Sequence, residues 1–310
     1  MPRTYSPMRY PGGKTQLSDF LKQLLKINEL NDIIYAEPFA GGFGAGLDLL
    51  FNNKVKSVII NDYDISIYSI WNAILNEPER IVNDIMNTDI TIEEWEKQRN
   101  IYDNLLKKKK YSYELAFATY FLNRTNRSGI ITGGPIGGKS QSGAYTVDCR
   151  FNKADLIKKI IKIAEHKDRI QLYNLEANDF IDEIGQRFNS EEIFIFFDPP
   201  YYQQGKNLYT NFFQHDDHVK LKEKIELLNN YYWIMTYDNQ YEILSLYEDY
   251  NKYLYSINYY ANSVRKAKEI LVHSDRMRVE SCGRIKVEKV MDYSLAEKNK
   301  ENSERTYCRL

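Results

Sequence analysis

Apolar positions follow two rhythms along this chain. Leu17, Leu21, Leu24 and Leu25 recur at helical spacing and predict an amphipathic helix over 15–30. Residues 33–36 form a short apolar run that ends in Glu37-Pro38 and a glycine-rich turn, which predicts a buried strand. A helix is expected over Gly44–Phe51 and a second buried strand over 58–60, closed by Asn61-Asp62. Strand, loop, helix and strand in that order open a doubly wound α/β domain.

The middle of the chain reads differently. From about Ile65 to Asn126 the spacing is helical, with Pro78 suited to a first turn and Thr91-Ile92-Glu93-Glu94 forming a capping box. From Gly129 to Val147 the composition shifts to Gly, Ser and Thr, which predicts an exposed hairpin or loop. Asn152 is expected to cap a helix running to about Glu165. The alternation then resumes: strand Ile170–Tyr173, helix 177–188, strand Ile193–Phe197, helix 217–228, strand 232–236, and late strands near 253–260 and 269–273. The expected organisation is an α/β domain (1–64 and 166–274) interrupted by a helical insert with a hairpin (65–165). A highly charged, loosely attached extension (275–310) is expected to follow.

Composition narrows the classes. The 310 residues suffice for one large core, or a core and a subdomain. The longest apolar run, Ile193–Phe197, is far short of the roughly 18 residues of a membrane span. No charged-then-apolar leader pattern opens the sequence. Cys149, Cys282 and Cys308 are widely separated, so neither a zinc site nor a disulfide framework is indicated. A cytoplasmic protein is expected. The net charge of −1 is unevenly spread: residues 99–170 hold 15 Lys and Arg against 6 Asp and Glu. A basic middle in an acidic frame is a plausible footprint for a polyanion, although solvated helix faces would look the same.

Three motifs carry chemistry. Phe197-Asp198-Pro199-Pro200-Tyr201 follows an apolar strand. Two prolines remove backbone donors and stiffen the turn, leaving the Asp198 carboxylate and nearby carbonyls as fixed acceptors at a strand's carboxyl end. Such acceptors suit an amino group with two N–H donors, and Tyr201 adds a flat face for stacking a base. The second motif is Ala36-Glu37-Pro38-Phe39-Ala40-Gly41-Gly42-Phe43-Gly44, whose glycines permit close backbone approach to a ligand. Asp62, at the end of the next strand, is placed to accept from ribose hydroxyls. The third, Arg9-Tyr10-Pro11-Gly12-Gly13-Lys14, is not a P-loop, because Met8 stands where that motif needs glycine. His215 and His218 lack a convergent third ligand, so no metal is expected.

Together these motifs resemble the Dam-type DNA adenine methyltransferases of the alpha group, with their DPPY motif. The resemblance runs from about residue 7 to 273, and includes LNRTNRSG at 122–129, Arg150-Phe151-Asn152-Lys153, the Asp217-His218 pair and Lys268-Glu269-Ile270-Leu271. It implies a Rossmann-like S-adenosylmethionine-dependent methyltransferase sheet. It implies a cofactor site at Tyr10, Lys14, Phe39, Gly41, Asp62 and Asp198, and a catalytic motif of Asp198, Pro199, Pro200 and Tyr201. Arg124, Arg127, Ser128, Lys139, Arg150 and Lys153 become the expected DNA contacts. The implied reaction moves a methyl group from S-adenosylmethionine to N6 of a flipped-out adenine in double-stranded DNA, in a monomer with a possible cognate restriction endonuclease. Arg127-Ser128-Gly129 departs from the aromatic-Asn-Gly of many relatives, so a relative's target sequence does not transfer. An RNA base methyltransferase, a cytosine-N4 enzyme and a catalytically silent DNA-binding protein are the competing readings.

Overall fold

The computed structural model describes residues 4–10, 12–203, 213–260 and 264–290, and only the backbone at 257–260 and 264–267. Pro11, Cys308 and the last part of the charged tail lie outside the described residues.

An eight-stranded sheet organises the fold. Its strands are β1 (Ile34–Glu37), β2 (Ser57–Asn61), β3 (Ile170–Tyr173), β4 (Ile193–Phe197), β5 (Tyr232–Asp238), β6 (Asn251–Tyr260), β7 (Val264–His273) and β8 (Val287–Lys289), in the order β3-β2-β1-β4-β5-β7-β6-β8. β1 to β5 are parallel, and β7 enters antiparallel beside β5. All five residues of β4 are buried, as a parallel strand covered on both faces requires. The chain leaves β1 toward β2 and later returns to β4 on its other side. This reversal of direction opens a crevice beyond the carboxyl ends of β1 and β4, where open α/β sheets bind ligands.

Helices α1 (Ser18–Ile27), α2 (Gly44–Phe51) and α3 (Ile65–Asn76) open the chain; a 3-10 turn over Lys14–Leu17 begins the helix expected from residue 15. The insert continues with α4 (Pro78–Asn87), α5 (Ile92–Leu106), α6 (Tyr113–Thr125) and α7 (Lys153–Ala164). Their starts follow local chemistry: Pro78 occupies the first turn of α4, Thr91 accepts from Glu94 N, and Asn152 accepts from Asp155 N. α8 (Ala177–Arg187), α9 (His215–Glu226) and α10 (Tyr241–Leu246) cover the other face. One apolar cluster runs from the sheet face bearing Tyr35 and Phe194 into insert residues such as Trp95, Tyr120 and Phe151. The insert therefore shares a core with the sheet.

Two expectations change. The stretch after Gly129 forms turns, with one isolated bridge between Asn126 and Pro135 and no strand ladder, so it is a loop and not a hairpin. Side chains hold it instead: Asn126 Nδ2 donates to Ile130 O and Ile131 O, and Arg99 Nη2 to Ile131 O and Gly133 O. Residues 275–290, expected to be loosely attached, are packed. Met277 and Ile285 are buried, β8 pairs with β6, and Arg276 binds Glu191, Asn230 O and Tyr232.

Candidate active site

Local backbone chemistry builds the cleft at the crevice. After β1, Gly41 adopts a left-handed φ of 46°, and a Cβ there would sit 2.5 Å from the Tyr10 ring. Glycine thus lets the N-terminal motif close on the turn. Gly41 N donates to Asp62 Oδ2 at 2.8 Å, and Trp71 Nε1 to Gly41 O at 2.9 Å. Asn61, fully buried, bonds Pro38 O and both backbone groups of Leu175, tying the turn to its neighbouring strand ends.

The N-terminal motif is locked to the end of α6. Arg9 N donates to Asn123 Oδ1 at 2.8 Å, and Asn123 Nδ2 returns a bond to Arg9 O at 2.7 Å. Gly129 has φ 78°, and a Cβ there would meet Arg9 O at 2.2 Å. These contacts fix the 122–129 segment against the 9–14 segment.

Lys14 emerges from that segment and is 6% exposed. Its Nζ lies 2.8 Å from Asp198 Oδ1 and 2.9 Å from Oδ2, and also donates to Gly12 O and to Tyr201 Oη. Thr236 Oγ1, on β5, donates to Asp198 Oδ1 at 2.8 Å. Asp238, also on β5, accepts from Tyr202 N and Gln203 N and so pins the chain just after the Asp-Pro-Pro-Tyr turn.

Charge in the cleft is unbalanced. Burial lifts the Asp198 carboxyl, against the opposing pull of Lys14. Burial also opposes the Lys14 charge, but Asp198, Glu269 and Glu37 outweigh it and hold the ammonium firmly protonated. Burial pushes Glu37 up to about 8, and Asp62 up to about 7 with help from Asp64. The cleft is thus a carboxylate-rich pocket served by one buried ammonium.

The cleft collects Tyr10, Lys14, Phe39, Asp62, Asp198 and Pro200 from the predicted set. Gly41 lies behind the wall, and Pro199 and Tyr201 are outside the lining. Tyr201 is 6% exposed, so its ring offers no open face here; its hydroxyl is engaged by Lys14 and Glu269. Arg124, expected as a DNA contact, is engaged within the protein instead. Its guanidinium donates to Pro7 O and Arg150 O, and burial lowers its pKa, so it braces two backbone segments. Lys139 pairs with Glu96 at 2.8 Å, and Lys153 Nζ donates to Met86 O. Ser128 is half-buried in the turn before the loop, while Arg127 and Arg150 are exposed with no carboxylate in ion-pair range among the described residues. Sequence reasoning missed Thr236, Asp238 and Glu269 as site residues.

Among the described residues no group of His, Cys, Asp and Glu could hold a metal, and no helix is long and apolar enough to cross a membrane. The chain is 26% identical over 264 residues to the type II methyltransferase M.MjaIII of Methanocaldococcus jannaschii, covering 79% of this chain and 88% of that one. It is 23% identical over 233 residues to the type II methyltransferase M.CviBI of Paramecium bursaria Chlorella virus NC1A, covering 72% and 79%. Among solved structures, the rRNA methyltransferase aviRa from Streptomyces viridochromogenes superposes with a TM-score of 0.38 at 10% identity, over 86% of this chain and 87% of that one. The D12 class of N6 adenine-specific DNA methyltransferases matches residues 10–267. With that match spanning both the cleft and the insert, the chain belongs to the D12 class and is an adenine-specific DNA methyltransferase.

Proposed function

We propose that this enzyme draws its methyl group from S-adenosylmethionine held in the cleft and delivers it to an adenine swung out of duplex DNA. The observation that carries the reading is the convergence of Asp62, Asp198 and the Phe39–Gly44 turn on one cleft where the strand order reverses. The donor set fits the ligand. Glu37, Asp62 and Asp198 are acceptors suited to ribose hydroxyls, an ammonium and a sulfonium, while Tyr63 and Ile67 supply apolar surface for a flat base. When bound, S-adenosylmethionine supplies an electrophilic methyl group.

The protein's own residues orient the acceptor. Adenine N6 carries two N–H donors and a lone pair delocalised into the ring. Asp198 and the Pro199 carbonyl would accept those hydrogens and direct the lone pair at the methyl carbon. Lys14 and Thr236 fix the Asp198 oxygens, so the carboxyl does not reorganise as the bond forms. Transfer breaks the methyl–sulfur bond and leaves N6 cationic with its two original hydrogens, and Asp198 is the group placed to receive the one that must leave. Extruding the base costs a few kcal/mol, which backbone contacts across the basic insert would offset. Arg127 and Arg150 are among the exposed cations suited to those contacts, and the loop after Gly129 is the segment suited to reading base edges. Action as a monomer, paired with a restriction endonuclease of the same specificity, completes the reading; both relatives are type II methyltransferases.

The test is calorimetric titration of S-adenosylmethionine into the wild type and Asp62→Ala, followed by mapping of methylated bases. The reading predicts binding that Asp62→Ala weakens by roughly 1–3 kcal/mol, as expected for a lost buried polar partner. Undiminished affinity in the variant would remove the cofactor assignment.

A further inference from the structure

Glu269 lies on β7 in register with Asp238 of β5 and Tyr255 of β6. It is 1% exposed. Tyr201 Oη donates to Glu269 Oε1 at 2.5 Å, and Tyr255 Oη donates to the other oxygen. Because Lys14 Nζ donates to Tyr201 Oη at 2.9 Å, that hydroxyl is an acceptor on one side and a donor on the other. A continuous chain therefore runs from Glu269 through Tyr201 and Lys14 to Asp198. Three elements remote in sequence are joined in it: β7, the turn after β4 and the N-terminal segment.

A buried carboxylate is costly unless its charge is met by donors and a nearby cation. Here two tyrosine hydroxyls meet it directly, and Lys14 lies one hydroxyl away. With both Glu269 oxygens accepting from tyrosine hydroxyls, the Tyr201 hydrogen points at Glu269 and leaves an oxygen lone pair for Lys14. An amide at this position accepts from only one of the two hydroxyls and sets an NH2 donor against the other, so Tyr201 Oη would compete with that donor for the lone pair it offers Lys14.

We propose that Glu269 is a positioning residue for methyl transfer: through the Tyr201 hydroxyl it holds Lys14 against Asp198. This rests on the role given above to Asp198. The same geometry assigns the Tyr201 hydroxyl a part beyond any contact its ring makes with a base.

The test compares Glu269→Gln, Tyr201→Phe and Tyr255→Phe. Single-turnover methylation at saturating cofactor and DNA should fall about 10- to 100-fold in Glu269→Gln and in Tyr201→Phe, the range of one lost buried charge-assisted bond. The double variant should be no slower than either single one. Tyr255→Phe removes the donor to the other oxygen and should keep the rate within about threefold. In cofactor-free protein with 13C-labelled lysine, the Lys14 ε-carbon should titrate at lower pH in Glu269→Gln than in the wild type. That last readout needs no activity, so a failure of the cofactor assignment leaves it standing. Wild-type rate and Lys14 titration in Glu269→Gln would overturn the proposal. So would equal rate loss in Tyr255→Phe, which would make Glu269 merely structural. Should Glu269→Gln fail to fold, Tyr201→Phe decides alone, and an unchanged rate there counts against the proposal.

Discussion

Lys14 Nζ lies 2.8 Å from Asp198 Oδ1 although the residues are 184 positions apart. The pair joins the N-terminal motif to the turn after β4 and lies at the cleft. Replacing Lys14 with Met would leave Asp198 sheltered without its cation, and its carboxyl would rise further above the ordinary range. The expected outcome is a fall in methyl transfer of at least tenfold near neutral pH, with the acidic limb of the pH–rate profile moved upward. A profile unchanged in shape would show that Lys14 does not set the state of Asp198.

Gly41 and Tyr10 give a second test. Gly41→Ala places a methyl group 2.5 Å from the Tyr10 ring and strains a left-handed backbone. Cofactor affinity should drop by tenfold or more, with a lower melting temperature. The same substitution at Gly134, where a Cβ meets nothing within 4 Å, should be benign by both measures.

Stability should depend on pH through buried groups that resist ionisation. Burial holds Glu37 at about 8 and Asp62 at about 7 in the folded chain, well above their unfolded values. The folded state therefore binds more protons there, and their contribution is lost as pH rises through the folded values. His218 acts oppositely: burial lowers it to about 4, so its contribution is present above the unfolded value of roughly 6.5 and is lost as pH falls toward 4. Burial also raises Asp198 and Asp238 and lowers His273, so four carboxyls stand against two imidazoles, and ligand-free stability should decline between about pH 5 and 8. Urea unfolding at several pH values checks this, and Glu37→Gln should flatten the decline. A rise toward pH 8 would contradict it.

Much of this architecture was legible. Five consecutive apolar residues closed by Asp-Pro-Pro located β4 to the residue, because a parallel strand covered on both faces tolerates no polar interruption. β7 was foreseen only from 269, where it pairs with β5; residues 264–268 pair with β6 alone, so apolar side chains are not demanded of them. The loop after Gly129 looked like a hairpin because its glycines resemble turn signals. Its shape comes from Asn126 and Arg99, whose bonds to its carbonyls have no periodic signature. Glu269 was visible within the Lys268-Glu269-Ile270-Leu271 stretch of the resemblance, but with no role, because its partner Tyr201 lies 68 positions away.

Asn126 makes the loop testable. Its carboxamide accepts from Trp95 Nε1 at 2.7 Å while donating to Ile130 O and Ile131 O. Asn126→Ala leaves the buried Trp95 Nε1 unmatched and removes two of the bonds that hold the loop carbonyls, and should cost about 1–3 kcal/mol. Melting temperature should fall, and discrimination between target and off-target adenines should relax. Retained discrimination would place target choice elsewhere.

Exposed Arg127 and Arg150 should behave differently from the braced Arg124. Arg150→Ala should weaken all DNA about equally and flatten the dependence of log affinity on log salt by about one unit. Arg124→Ala should instead lower stability, since it withdraws support from Pro7 O and Arg150 O. Fluorescence anisotropy over a salt series, with thermal melts in parallel, separates the two.

The most direct measurement is product mapping with a deuterated-methyl donor, comparing the wild type with Asp198→Ala. The account predicts labelled N6-methyladenine at a defined DNA sequence from the wild type. It predicts loss of that product by orders of magnitude in Asp198→Ala, with the fold intact. Label on cytosine or RNA, or a variant that methylates at the wild-type rate, would contradict it.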